Sequence, residues 1–120
     1  LNTTYEAIRI SSGNSFVHET EGQVILNGSR DINFTMDLVV KDVGLFDALA
    51  RKLDVPLELS PLLVKVFEDG RERYGDREFS PNVIRRLEEA TGLDVRAPGF
   101  PAEIVDNEPE APGYEVVPER

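Results

Sequence analysis

Few side chains in this sequence are placed to do chemistry, and two of them are neighbours. Lys41 and Asp42 interrupt the stretch FTMDLVVKDVG, residues 34–44, which is otherwise mostly apolar. An ammonium on a long stem can donate charge-assisted hydrogen bonds to anionic oxygens, and a carboxylate can accept hydrogen bonds. The other candidates are weaker. The single histidine, His18, stands close to Glu19 and Glu21 on a helical stretch, where a lone imidazole is far more often a surface or satisfied core residue than a ligand. There is no cysteine, hence no thiolate nucleophile and no disulfide framework, and a reducing cytoplasm is the default compartment. No metal site and no hydrolytic triad is expected from this inventory.

The element that must carry Lys41 and Asp42 is a helix from about Met36 to Leu53, ended by Asp54-Val55-Pro56, since a residue before proline avoids helical angles. At about 100° per residue, Val39, Val40, Val43 and Ala50 share one direction. Leu38, Leu45 and Leu49 share the opposite one, with Phe46 and Leu53 between them. Only Asp37, Lys41 and Lys52 make a clearly polar strip. A helix apolar over so much of its circumference is expected at the centre of a bundle, contacted on more than one side. Lys41 falls at the edge of the polar strip, from which its stem covers apolar surface while the ammonium reaches out. Asp42 falls between Leu38 and Leu49 on one side and Phe46 on the other. Burying that carboxylate unpaired would be costly, so it must face an arginine or helix N-terminus inside the bundle, a ligand, or a wet cleft.

The rest of the first 95 residues is helical in pattern. A first helix covers Thr3 to Ser11 and stops in SSGN. Ser15 caps a second, which carries Phe16, Val17, Val24, Ile25 and Leu26 and runs out at Asn27-Gly28-Ser29. A fourth carries Leu59, Leu62, Leu63, Val66 and Phe67 and ends near Tyr74-Gly75. Ser80-Pro81 opens a fifth, with Ser as N-cap and Pro at the first helical position, closing at Thr91-Gly92. No strand-like alternation competes, so the fold class is all-α, a bundle of about five helices over residues 1–95. Residues 96–120 hold five of the eight prolines and six acidic residues against two arginines. Such a segment makes no core of its own. It reads as an acidic tail, or as an ordered arm lying along the domain or a neighbouring subunit, given Phe100, Ile104, Val105, Tyr114, Val116 and Val117.

The net charge of −10, from 13 basic and 23 acidic side chains, argues against nucleic acid as a partner. No apolar run approaches the roughly 20 residues that cross a bilayer, so no membrane partner is expected. The Asn-X-Ser/Thr triplets at Asn2, Asn27 and Asn33 read as chance matches. The opening LNTTYEAIRI looks like a helix entered partway and predicts that the chain is a piece of a longer polypeptide.

The order KDVGLFDALARKLDVPLELSPLLVKVFEDGRERYGDREFS resembles the C-terminal domain of the β-hydroxyacid dehydrogenases, the family of 3-hydroxyisobutyrate dehydrogenase and tartronate semialdehyde reductase, related to 6-phosphogluconate dehydrogenase. The shared features are the Lys-Asp pair followed by a small residue and Leu, the Val-Pro turn, and a helix ending near Tyr-Gly. The upstream SSGNSF is similar to the family's Ser-Ser-Gly-x-Ser-aromatic junction, and the likeness covers residues 1–92. It implies a 6-phosphogluconate dehydrogenase-like helical domain in which Lys41 contacts an NAD or NADP cofactor across the domain cleft. It further implies that Asp42 lines the substrate side, helped by Phe34 eight residues earlier, and that the whole enzyme is a homo-oligomer acting on a small hydroxy acid. The family's Gly-x-Gly-x-x-Gly fingerprint and its Gly-x-x-Gly-x-Gly-x-x-x-Lys-x-x-x-Asn helix, source of the catalytic lysine, are absent from these 120 residues. No catalytic residue is therefore assigned here, and the chain alone is expected to be inactive. Asp47 receives no role, and the sequence departs from the family after Gly92. The alternative is a free-standing acidic helical interaction module that kept the fold without the chemistry.

Overall fold

The computed structural model describes residues 1–104 and Gly113. Five α-helices follow one another: α1 (Asn2–Arg9), α2 (Phe16–Asn27), α3 (Met36–Lys52), α4 (Ser60–Tyr74) and α5 (Arg85–Thr91), with a 3-10 turn at Ser80–Ile84 leading into α5. Among the described residues there is no strand, only an isolated antiparallel bridge between Thr35 and Phe79. The expected all-α bundle is what forms. No helix among the described residues is long and apolar enough to cross a membrane.

The helix ends follow from local chemistry. Ser15 caps α2 in extended conformation, its Oγ accepting from the His18 N–H at 3.0 Å. Gly28 closes α2 with φ 99°, a left-handed angle, and its N–H returns to the Val24 carbonyl at 2.9 Å. A Cβ there would also come within 2.4 Å of Arg96 Nε. α3 ends in a six-to-one and five-to-two pair of bonds, Val55 N–H to Ala50 O at 2.9 Å and Asp54 N–H to Arg51 O at 3.2 Å. That geometry puts Asp54 at φ 55°, where glycine is the usual occupant. The fifth helix starts differently from expectation. Ser80 and Pro81 are buried inside the 3-10 turn, whose N-cap is Phe79, because the Ser80 N–H is taken by the Phe34 carbonyl at 2.8 Å.

The N-terminus of α3 is held by the segment after α4. Met36 N–H donates to Glu78 O at 2.9 Å and Asp37 N–H to Asp76 O at 3.1 Å, so two of the orphan donors of the first turn find partners there. The Asp37 carboxylate accepts from the Thr35 hydroxyl and from Arg77 Nη1, and chiefly the Thr35 hydroxyl, with Arg77 adding, holds it below the usual carboxylate range. Met36 is fully buried against Gly70 of α4, where an added Cβ would stand 3.3 Å from its Cε. The missing side chain at Gly70 leaves room for Met36 where α3 packs on α4.

One expectation about α3 is corrected. It packs on α4 along one side, while Leu45, Phe46, Leu49 and Leu53 remain 54–63% exposed. The helix is not enclosed all round, because no other described element lies over that face. Met36, Asp47 and Ala50 are its buried residues, and Asp47, left without a role by the sequence, pairs with Arg51 Nε at 2.8 Å.

Residues 93–104 form a strap across α1 and α2. Ala97 N–H donates to Leu26 O at 3.0 Å, Asn2 Nδ2 to Pro98 O at 2.9 Å and Asn27 Nδ2 to Phe100 O at 2.8 Å. The Phe100 ring meets Tyr5 edge-on at 4.9 Å, and Tyr5 stacks on His18 at 4.6 Å. The strap is anchored at Glu88. Its Oε2 accepts from buried Arg30 Nη2 at 2.6 Å, and its Oε1 accepts from Val95 N–H and Arg96 Nη1, both at 2.9 Å. Asn82 Oδ1 completes the site by accepting from Arg30 Nη1 at 3.0 Å. The apolar positions Val105, Tyr114, Val116 and Val117 lie outside the described residues.

Two outcomes follow from these contacts. Asp54→Gly removes left-handed strain and a negative charge from the C-terminal end of α3, so it should stabilise by about 0.5–1 kcal/mol. Thermal melting should show a midpoint raised by roughly 3–6 °C. Burial raises the Glu88 pKa, but the Val95 N–H and the Arg30 and Arg96 guanidiniums outweigh it, leaving the carboxyl below its ordinary value of 4.5. A carboxylate lowered in this way stabilises the fold fully above pH 4.5, and the contribution disappears as the pH falls through its folded value. Glu88→Gln should therefore cost about 2–3 kcal/mol at neutral pH, and in urea titrations the gap from the native chain should narrow as the pH is lowered below 4.5.

Candidate functional site

The exposed stripe of α3 is where the charged pair sits. Lys41 Nζ lies 2.9 Å from Asp42 Oδ1, and both side chains are more than half exposed. Neither forms an ion pair with an arginine of the bundle among the described residues, so the internal-partner reading of Asp42 does not hold. Because its carboxylate reaches solvent, the burial penalty that made its position look costly is not incurred. Its direction on the helix is as the wheel placed it, on the same stripe as Phe46 and Leu49.

Asp42 also lines a groove of about 550 Å³ between α3, the α3–α4 connection and the start of α4. Val43 and Phe46 form the α3 wall, Pro56, Leu57 and Leu59 the connection, and Ser60 and Leu63 the α4 wall. The groove is therefore apolar, with two carboxylates on it, Asp42 and Glu58, and no basic side chain. Chain geometry explains the shape. The αL residue Asp54 and then Pro56 turn the backbone sharply, and residues 55–59 climb beside α3 before α4 begins.

Lys41 stands next to this groove without lining it. Phe34 is half-buried two residues before α3, where its carbonyl receives the Ser80 N–H, and it does not line the groove with Asp42. Lys41 and Asp42 are thus brought together, while Phe34 lies toward the other end of α3. The groove walls contributed by residues 56–59 were missed by sequence reasoning. The signal available is the Asp-Val-Pro turn, which marks the end of α3 and does not show that the residues after it wall a groove. No cluster of His, Asp or Glu suited to a metal ion occurs among the described residues.

Chemically, the pair offers one donor cation and one acceptor anion at the lip of an apolar recess. An ammonium held only by its neighbour can exchange that partner for a phosphate or ribose oxygen. A carboxylate, acceptor-only when ionised, can accept a hydrogen bond from a hydroxyl but repels another carboxylate.

Residues 1–87 match the family described as NAD-binding of NADP-dependent 3-hydroxyisobutyrate dehydrogenase. The chain is 35% identical over 94 residues to the 2-(hydroxymethyl)glutarate dehydrogenase of Eubacterium barkeri, covering 78% of this chain and 31% of that protein. It is 26% identical over 85 residues to the L-threonate dehydrogenase of Escherichia coli K12, covering 71% and 28%. The chain thus spans about a third of the length of the curated relatives it matches. A match running from the first residue through the charged pair, the groove and the Tyr74-Gly75 stop shows that this chain belongs to the 3-hydroxyisobutyrate dehydrogenase family of β-hydroxyacid dehydrogenases.

Proposed function

We propose that this chain is the C-terminal helical domain of an NAD(P)-dependent dehydrogenase acting on a small 3-hydroxy acid. In that reading it closes the cleft over cofactor and substrate and contributes subunit contacts, and it is inactive by itself. The observation that carries the reading is the solvent-facing Lys41–Asp42 pair on a stripe of α3 that no other described element covers. A charged pair at the lip of an apolar recess is suited to a two-sided site whose second wall lies in another domain. Homo-oligomer contacts would draw on the exposed leucines of α3 and α4, since large apolar patches commonly mark association surfaces.

Two names among the comparisons share one chemical pattern. 3-Hydroxyisobutyrate and 2-(hydroxymethyl)glutarate both carry a CH2OH group on the carbon that bears a carboxylate. A nicotinamide dinucleotide, when bound, supplies the acceptor for hydride from that CH2OH carbon. Lys41 fits an edge contact to it, because its ammonium is exposed, adjacent to the recess and tied only to Asp42. Asp42 accepts from the substrate hydroxyl and orients it. Phe34, two residues before the start of α3, borders the substrate from the side away from the groove. The proton and the carboxylate of the substrate are handled by groups outside these residues, which is why no turnover is assigned to the chain alone. The runner-up, a free-standing interaction module, draws on the same exposed stripe and predicts no role for the charged pair.

In the complete dehydrogenase polypeptide, Lys41→Ala should raise the Michaelis constant for the cofactor about tenfold or more while leaving the substrate constant nearly fixed. Asp42→Asn should lower kcat/KM for the hydroxy acid by about tenfold with little change in cofactor terms. Steady-state kinetics with each reactant varied in turn separates the two. Native kinetics in both variants would refute the dehydrogenase reading and favour the interaction module.

A further inference from the structure

We propose that the groove beside Asp42 receives the substituent on the carbon next to the substrate carboxylate, and that it selects an uncharged alkyl substituent over an anionic one. This rests on the dehydrogenase reading above and names the substrate class of the same site.

Asp42, the side chain placed against the substrate hydroxyl, is itself part of the groove wall, so whatever Asp42 orients lies at the groove mouth. On a 2-substituted 3-hydroxypropionate the hydroxyl-bearing carbon and the substituent branch from the same atom. A hydroxyl held at Asp42 leaves the carboxylate and the substituent as the branches that can enter the groove, and the like charges of Asp42 and Glu58 leave it to the substituent. The groove is walled by Val43 and Phe46 on one side and Leu57, Leu59 and Leu63 on the other. Its volume of about 550 Å³ falls inside the range of about 300–1,000 Å³ typical of small-molecule sites.

Charge supplies the selection. Among the described residues, the only ionisable side chains lining the groove are Asp42 and Glu58, both exposed and both acidic. Lys41, next to Asp42 in sequence, has its ammonium on Asp42. A second carboxylate on the substituent would enter beside two like charges with no donor cation, and would lose its water against aliphatic walls. A methyl, propyl or isopentyl group loses nothing and gains burial against Phe46 and the leucines. The charge of the whole chain, −10, adds to the exclusion of a dianion.

The test compares two nearly isosteric substrates on the complete dehydrogenase polypeptide. One is 2-(hydroxymethyl)glutarate. The other is 2-(hydroxymethyl)-5-methylhexanoate, in which an isopropyl group replaces the distal carboxylate. The neutral-chain substrate should have the higher kcat/KM, by about tenfold or more. Glu58→Lys, a change at an exposed loop position, should move that ratio toward the dianion by about tenfold, and Val43→Phe should lower kcat/KM for the isopentyl compound about tenfold more than for 3-hydroxyisobutyrate. Equal or better use of the dianion by the native enzyme would overturn the proposal while leaving the dehydrogenase reading intact. Turnover of neither compound nor of 3-hydroxyisobutyrate would overturn both. A second readout uses this 120-residue chain alone. In amide chemical-shift titrations, the neutral-chain acid at millimolar concentration should perturb Val43, Phe46 and Leu63, and the dianion should not. If instead Val43→Phe changes only the association state and neither acid perturbs these amides, the groove is a protein-docking surface and the proposal fails.

Discussion

One carboxylate holds together parts of this chain that are far apart in sequence. Glu88 receives Arg30 from the α2–α3 connection on one oxygen, and the Val95 amide and Arg96 on the other, with both acidic and basic partners of the Arg30–Glu88 pair about nine-tenths buried. The connection it grips is strained. Gly28, Arg30 and Asn33 all have positive φ within six residues, so the backbone must be held in place by something stronger than its own preference. Taking two charges out of water is expensive, but here each guanidinium and carboxylate atom that is paired has good geometry, and Asn82 adds a further acceptor. The consequence reaches α3. With the connection fixed behind it and residues 76–80 fixed against its first turn, the helix has one starting position, and that sets the direction in which Lys41 and Asp42 project.

The same economy explains why the site lies on an uncovered face. The small core, Tyr5, Val24, Leu26, Met36 and Ala50, lies on the α1–α2 side and under the α3–α4 contact. Leu45, Phe46 and Leu49 of α3 and Leu62 of α4 point elsewhere, each more than half exposed. A bundle stabilised mainly by its own burial would have turned those leucines inward. Here polar anchoring does the work of orientation, and apolar surface is left available for a second body. The strap strengthens this asymmetry, because residues 96–102 cover the α1–α2 side and leave the α3 stripe open.

Much of the fold was legible because its punctuation is chemical and local. Ser15 before Phe16, Gly28 after Asn27 and Pro56 after Val55 each act within one turn, so the bounds of α2 and α3 can be read from neighbours. The start of α5 was misplaced for the opposite reason. Ser80 has the right type for an N-cap, but its amide belongs to Phe34, 46 positions away in the chain, and such a bond leaves no mark on local pattern. The strap was open between two readings for the same cause, since its partners Asn2, Leu26 and Asn27 lie about 70 or more residues upstream. At the site, periodicity gave the direction of Asp42 and not its surroundings. A helical wheel reports which residues share a face; whether another element covers that face depends on tertiary packing.

That distinction bears on how the charged pair should be understood. In an enclosed bundle, Asp42 would need an internal cation, and its charge would be a structural matter. On an open stripe it needs none, and Lys41 at 2.9 Å is a partner it can surrender at little cost, because exposed pairs contribute little to stability. A pair that is cheap to separate is useful where both members must re-bond to something else. The ammonium can turn to an anionic oxygen and the carboxylate to a hydroxyl, each keeping a hydrogen-bond partner throughout, so binding at this lip would not leave an orphaned charge. Asp47, one turn farther along the same helix and buried against Arg51, shows the contrast: its pairing is part of the fold, and that of Asp42 is free to change.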